Sequence, residues 1–320
     1  MSLTPLAGHT LAPRLKAAVL GMIGSFIMFT AYLVVPPVGI LSGILAPFPA
    51  CYVRLLHGRM PTLILTFGVT AAVTALFGII AGCLYLGTCG IIGMLMPELL
   101  ARGLSGSKAI FWTTSATLAA LTTGILIYSL STALDFNLFV SDEIASSLNQ
   151  AISIYEKGGV KGEDLDVIRQ SMNMVAELLY RIYPAFAAFM LIAVAGCNLA
   201  LLKRTIAQSV TTIRIGEFAS FRNPDLLVWL LIAAGFSLLL PSPLVTTLAL
   251  NILMIIALLY FLQGMAVIST LIARQSLSKV LRVGLYVMLL LQPYLTIVIA
   301  AVGLCDLWVD FRAPKKQENL

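Results

Sequence analysis

Long apolar runs with few charges recur along this chain, and they constrain its fold more than any other feature. Nine such runs can be distinguished, at 16–35, 38–56, 61–79, 81–100, 108–132, 178–203, 225–241, 245–272 and 280–306. A helix needs roughly 20 apolar residues to cross a bilayer, whereas the strands of a membrane β-barrel alternate apolar and polar residues. The runs therefore predict an all-α, polytopic transmembrane helix bundle of about nine spans, within a range of roughly eight to ten.

The composition agrees with a chain that has little contact with water. Its 320 residues are 60% hydrophobic and only 11% charged, and the mean hydropathy is +1.00. A soluble domain of this size needs more charge on its surface. The net charge of +6 is then expected to come from basic loops that orient the protein in the membrane, and we expect no nucleic-acid partner.

The basic residues of the loops predict the orientation of the chain. They cluster in alternate connections, at Arg14/Lys16, Arg54/Arg59, Arg102/Lys108, Lys203/Arg204/Arg214/Arg222 and Arg274/Lys279/Arg282. Positive loops face the cytoplasm, so the N-terminus is predicted to be cytoplasmic. Nine spans would place the basic tail outside, against this rule. The interruption at Gln292-Pro293 leaves open a split or re-entrant final segment that returns the tail to the cytoplasm.

One long polar segment, 133–177, is predicted to lie outside the membrane. Its second half carries an apolar stripe at helical spacing, formed by Leu165, Ile168, Met172, Val175 and Leu179. A weaker stripe precedes it, formed by Ile144, Leu148, Ile152 and Tyr155. Because Gly158-Gly159 separates the two stripes, the segment is predicted to be an amphipathic helical hairpin.

These segments suggest a division of the chain into six parts. An N-terminal five-helix part (1–132) precedes the hairpin (133–177) and the sixth helix (178–203). A basic cytoplasmic loop (204–224), a C-terminal three-helix part (225–306) and a polar tail (307–320) complete the chain.

The sequence contains no pattern typical of an enzyme. The stretch Gly103–Lys108, GLSGSK, has the wrong spacing for a phosphate-binding loop, so we expect no ATPase activity from this chain. The only histidines, His9 and His57, are isolated, and the five cysteines form no CxxC pair. We therefore expect no catalytic residue, no metal site and no cofactor.

Uncharged polar side chains within the helices are the candidates for binding a substrate. They are Thr114, Thr117, Asn198, Asn251 and Gln263. Hydrogen bonds between helices are the alternative role for such residues in a membrane.

The few charges near the spans have plain structural explanations. Glu98–Arg102 and Glu177–Arg181 have the spacing of ion pairs within a helix. Asp306 is expected to belong to an interfacial anchor around Trp308. The absence of an ionisable residue near mid-membrane argues against an ion-coupled transporter.

Several motifs resemble a known family. They are LAPFPACYVRLLHGRM from Leu45, NPDLLVWLL, NILMIIALLYFLQGMAVI and GLCDLWVDFR. The chain is identified by them as similar to the YybS-type bacterial membrane proteins, catalogued as domain of unknown function 2232. That resemblance implies a location in the bacterial cytoplasmic (inner) membrane and no established activity.

The first six helices are also similar to the substrate-binding S components of energy-coupling-factor vitamin transporters. That resemblance implies binding or transport of a small solute with a separate ATPase module as partner. The three additional helices from 225 onward depart from it. They favour the alternative, a non-transporting scaffold or assembly factor that acts through partner proteins.

Overall fold

A computed structural model describes residues 11–133, 135–206, 216–275 and 278–312, which contain helices and no strand, as the apolar runs predicted. The helices are α1 (Leu11–Val34), α2 (Pro36–Leu45), α3 (Phe48–His57), α4 (Arg59–Phe77), α5 (Ile79–Tyr85), α6 (Ile91–Ala101), α7 (Gly106–Thr132), α8 (Phe136–Lys157), α9 (Glu163–Ile206), α10 (Leu227–Ser237), α11 (Pro243–Arg274), α12 (Lys279–Leu291) and α13 (Pro293–Cys305). A π-helical turn, Leu86–Gly90, joins α5 to α6, and a 3₁₀ turn, Phe218–Ser220, precedes α10.

Fewer helices can span a membrane than the nine apolar runs predicted. Within the described residues seven spans are long and apolar enough, when α2–α3 (Gly39–His57) and α5–α6 (Ile79–Ala101) each count as one, or up to eight if the bent pair α12–α13 is one span. The predicted span 225–241 is reduced to α10, which has 11 residues and reaches only about 17 Å. The helix gives way to a turn over residues 238–240, ahead of Pro241.

Several predicted spans are interrupted. The run 38–56 contains two helices, α2 and α3, which are separated where Pro47 and Pro49 cannot donate backbone hydrogen bonds. The last run breaks at Gln292, where the helix axis bends by 97°, so the interruption predicted from Gln292-Pro293 is confirmed. The return of the tail to the cytoplasm stays a prediction.

The polar segment 133–177 is helical on both sides of its glycines. Gly159 and Gly162 have φ of 93° and 67°, which glycine adopts at little cost, and they make the turn between α8 and α9. An ion pair of 2.5 Å joins Glu156 on α8 to Arg169 on α9. The position of these helices outside the membrane stays a prediction.

The amphipathic part and the predicted sixth span are one helix. α9 has 44 residues and is about 66 Å long, roughly twice the thickness of the hydrocarbon core. The predicted boundary between 177 and 178 therefore lies inside a continuous helix.

The helices form two compact units. The first contains 1–139 and 187–216, and the second contains 140–186 and 217–320, as far as these ranges are described. In the first unit, two clusters of buried side chains form the core. One includes Ile92, Met96 and Leu202, and the other includes Leu65 and Tyr85.

The second unit is built on the contact between α11 and α13. A Cβ atom added to Gly264 would lie 1.9 Å from the carbonyl oxygen of Ile299, and one added to Gly303 would lie 2.0 Å from the carbonyl oxygen of Tyr260. The two backbones therefore touch directly, which is how small residues let membrane helices approach.

Candidate functional site

Three threonines on α7 form a group of buried polar side chains in the first unit. Thr113, Thr114 and Thr117 are buried, and their hydroxyl oxygens have no hydrogen-bond partner within the described structure. Thr117 lies three or four residues after the other two, so all three face the same side of the helix. Thr66 on α4, in the same unit, has the same property. Thr114 and Thr117 are thus buried polar groups, while their predicted substrate-binding role stays a prediction.

Other threonines of the chain behave differently. Eight of them donate to the carbonyl oxygen one turn earlier in their own helix: Thr30, Thr62, Thr70, Thr88, Thr132, Thr205, Thr270 and Thr296. That internal bond is the usual way for a threonine to satisfy its hydroxyl in an apolar helix. The buried hydroxyls of the first unit lack such a bond.

Asn198 on α9 adds a further unpartnered atom to the first unit. Its Nδ2 donates to the carbonyl oxygens of Ile44 and Val194, both at 2.7 Å. Ile44 lies just before the break between α2 and α3, so this bond satisfies a carbonyl that the interrupted helix leaves free. The Oδ1 atom of Asn198 is buried and has no partner among the described residues.

Asn251 of α11 bonds to the backbone of α9 in the second unit. Its Oδ1 accepts from the N–H of Ala185 at 2.9 Å, and its Nδ2 donates to the carbonyl oxygen of Arg181 at 2.7 Å. In a regular helix these two backbone groups would bond to each other, but Pro184 lies between them. The amide of Asn251 thus bonds to both of these backbone groups beside the proline.

Gln263 belongs to a buried polar network in the second unit. Its Oε1 accepts from the N–H of Asn223 at 3.0 Å, and its Nε2 donates to Oδ2 of Asp306 at 3.0 Å. The same Oδ2 accepts from Nη2 of Arg312 at 2.8 Å, and Nη1 of Arg312 donates to the carbonyl oxygen of Ala219 at 2.8 Å. The network joins residues of the motifs NPDLLVWLL, FLQGM and GLCDLWVDFR. Asp306 is therefore a buried ion-pair partner, and the interfacial anchor around Trp308 stays a prediction.

The five predicted site residues are divided between the two units. Thr114, Thr117 and Asn198 belong to the first unit, whereas Asn251 and Gln263 belong to the second. Asn251 and Gln263 have both atoms of their amide groups engaged in hydrogen bonds that hold the fold.

A cluster of arginines around Glu98 was only partly visible from sequence. The predicted Glu98–Arg102 pair is present, with Nε of Arg102 at 3.1 Å from Oε1. Nη2 of Arg59 lies at 2.5 Å from the same oxygen, and Arg54 contacts Oε2. The signal for this cluster was the basic turn RLLHGR, but nothing in it indicated that Glu98 was the shared partner.

No metal centre is formed by the part of the chain that the structure describes, since no three His, Cys, Asp or Glu side chains come together there. All five cysteines are free thiols.

The apolar helices and the close glycine contacts define a multi-pass α-helical membrane protein whose outer surface contacts the lipid bilayer. The chain belongs to the family described as "Predicted membrane protein (DUF2232)", which matches residues 24–307. The resemblance to domain of unknown function 2232 is therefore confirmed. No curated protein and no solved structure matches the chain, and the resemblance to S components gains no support from these comparisons.

Proposed function

We propose that the first unit binds a small polar solute, and that the protein serves in its transport without an ATPase of its own. The observation that carries this proposal is the group of buried hydroxyls on α7 that have no hydrogen-bond partner among the described residues. A buried polar group without a partner costs roughly 1–3 kcal/mol. A solute with hydroxyl, amide or carboxylate groups would supply the missing partners.

The depth of these atoms also suits a solute site. Thr66, Thr113 and Asn198 each lie seven or eight residues from the end of their helix that is predicted to be cytoplasmic, at 59, 106 and 206. At 1.5 Å per residue this corresponds to about 10–12 Å from that end of each helix. Polar groups at similar depth on different helices are what a solute held inside a helix bundle requires.

The energy for transport would come from a partner. The sequence has no phosphate-binding loop, so an S-component-like protein of this kind would depend on a separate ATPase module. We place that module on the cytoplasmic side, where the basic connections are predicted to lie, with the N-terminus on the same side.

Native mass spectrometry of the protein purified in mild detergent tests the proposal. We expect a bound small molecule in the wild type and its loss in the double variant T114V/T117V, which removes two hydroxyls at almost constant volume. The matched control is T30V, because the hydroxyl of Thr30 bonds to its own helix. Retention of the molecule in T114V/T117V would refute the site.

Stability gives an independent reading of the same variants. If the hydroxyls bind nothing, replacing them by methyl groups removes two buried unsatisfied groups and stabilises the solute-free protein by about 1 kcal/mol or more. If they bind a solute, the solute-dependent rise in melting temperature is lost in T114V/T117V and kept in T30V.

A scaffold or assembly factor is the second candidate, and a different surface favours it. Val167, Met174 and Leu178 of α9 are exposed and lie on one face of the helix. A photo-crosslinking residue at position 174 is expected to join one membrane protein in native membranes, while the same residue at Ala176, on the opposite face of the helix, is not. A partner found in this way, together with no bound solute, would favour the scaffold.

A further inference from the structure

The arginines around Glu98 carry more positive charge than the fold needs. One carboxylate faces three guanidinium groups, those of Arg54, Arg59 and Arg102. The side chains of Arg54 and Glu98 are equally enclosed, with exposures of 15% and 16%. Arg54 alone is therefore enough to neutralise the half-buried carboxylate, and two positive charges remain.

Those two remaining charges face outward. The side chains of Arg59 and Arg102 are 67% and 63% exposed. Glu98 holds Nε and Nη2 of Arg59 and only Nε of Arg102. Because a guanidinium has five N–H donors, most of the donors on both residues point away from Glu98. The carboxylate of Glu98 thus positions the guanidinium groups of Arg59 and Arg102, whose free N–H groups are suited to binding an oxyanion.

The cluster lies at the ends of three apolar helices that are long enough to span a membrane, and lipid phosphates are expected near such ends. Glu98 is close to the end of the apolar helix that stops at Ala101, Arg54 is close to the end of the one that stops at His57, and Arg59 begins the next. From Arg59 an exposed apolar stripe runs down α4, formed by Met60, Ile64 and Phe67. These residues have the i, i+4, i+7 spacing of one helix face.

We propose that Arg59 and Arg102 bind the phosphate of an anionic phospholipid headgroup, with the acyl chains of that lipid against the α4 stripe. Basic groups between membrane helices are known to select anionic lipids in this way. A soluble phosphate could bind the same two guanidinium groups, but it would make no contact with the apolar stripe on α4.

Lipid titration followed by native mass spectrometry tests the proposal, with the full chain in detergent. Phosphatidylglycerol is the probe, phosphatidylcholine is the neutral comparison and inorganic phosphate is the soluble one. The variant is R59Q/R102Q, which keeps the Arg54–Glu98 pair and therefore the fold. The control is K16Q/K108Q, which loses the same charge from two exposed lysines at the predicted cytoplasmic end.

We expect R59Q/R102Q to bind phosphatidylglycerol about thirtyfold more weakly, since each basic group near an anionic headgroup contributes about a factor of five. The control is expected to change by less than about twofold, since general charge is not what the proposal invokes. Equal losses in the two variants, or equal binding of phosphatidylcholine, would overturn the lipid site. Displacement of the lipid by millimolar phosphate would reassign the cluster to a soluble anion and would overturn it as well.

Discussion

Replacing Asp306 by alanine removes the carboxylate at the centre of the polar network in the second unit. Arg312 would lose its ion-pair partner, and the fully buried amide of Gln263 would lose its acceptor. Removing one partner of a buried ion pair costs about 3–5 kcal/mol. Because the Arg312 side chain is 16% exposed and regains some hydration, we take the lower end. We expect D306A to lower the free energy of unfolding by about 3 kcal/mol.

The matched control is D310A, which lies in the same segment. Asp310 is exposed and accepts a hydrogen bond only from the backbone N–H of Arg312 among the contacts described, at 3.1 Å. Its replacement is expected to change stability by less than about 1 kcal/mol. Unfolding in mixed micelles of increasing SDS fraction, followed by circular dichroism, measures both variants. Equal losses for D306A and D310A would refute the assignment of Asp306 as a buried partner.

Three further expectations concern helix packing, membrane topology and the helix at 164–179. G264A is expected to lower the free energy of unfolding by about 1–3 kcal/mol, because the new Cβ would meet a backbone carbonyl. The control G235A, where the Cβ has open space, is expected to raise the free energy of unfolding by up to about 1 kcal/mol. Thermal unfolding compares the two variants. In a cysteine-free background, a membrane-impermeant thiol reagent is expected to label S147C from outside the cell and S107C only after lysis. Reversed labelling would invert the predicted topology. Hydrogen exchange across 164–179 is expected to be slow, and fast exchange throughout would contradict the helix there.

The hydrophobic pattern was sufficient to predict helices but not the length of each one. Apolar runs mark where a chain avoids water, and this property does not distinguish a spanning helix from a short helix with an apolar turn after it. For 225–241 the run continued through Leu240, while the helix ended at Ser237. The break at Gln292 was predictable because a proline acts on its immediate neighbours.

The polar contacts were predictable only where both partners share one helix. Glu98 and Arg102 are four residues apart, and that spacing alone places them together. Arg54 reaches the same carboxylate from another helix, and Asn223, Gln263 and Asp306 meet across three segments. A single sequence holds no measure of distance between separate helices, so these partners appear only in the fold.

The hydrogen bonds of Asn251 make Pro184 and Asn251 mutually dependent positions. Replacing a proline inside a helix, such as Pro184, by alanine would normally be expected to stabilise the helix. Here the N–H of Ala185 and the carbonyl of Arg181 would bond to each other again, and the amide of Asn251 would lose two of its partners. Each single substitution is therefore costly, and the pair P184A/N251L is milder than the sum of its parts. Over evolutionary time such a proline and asparagine would be lost or retained together.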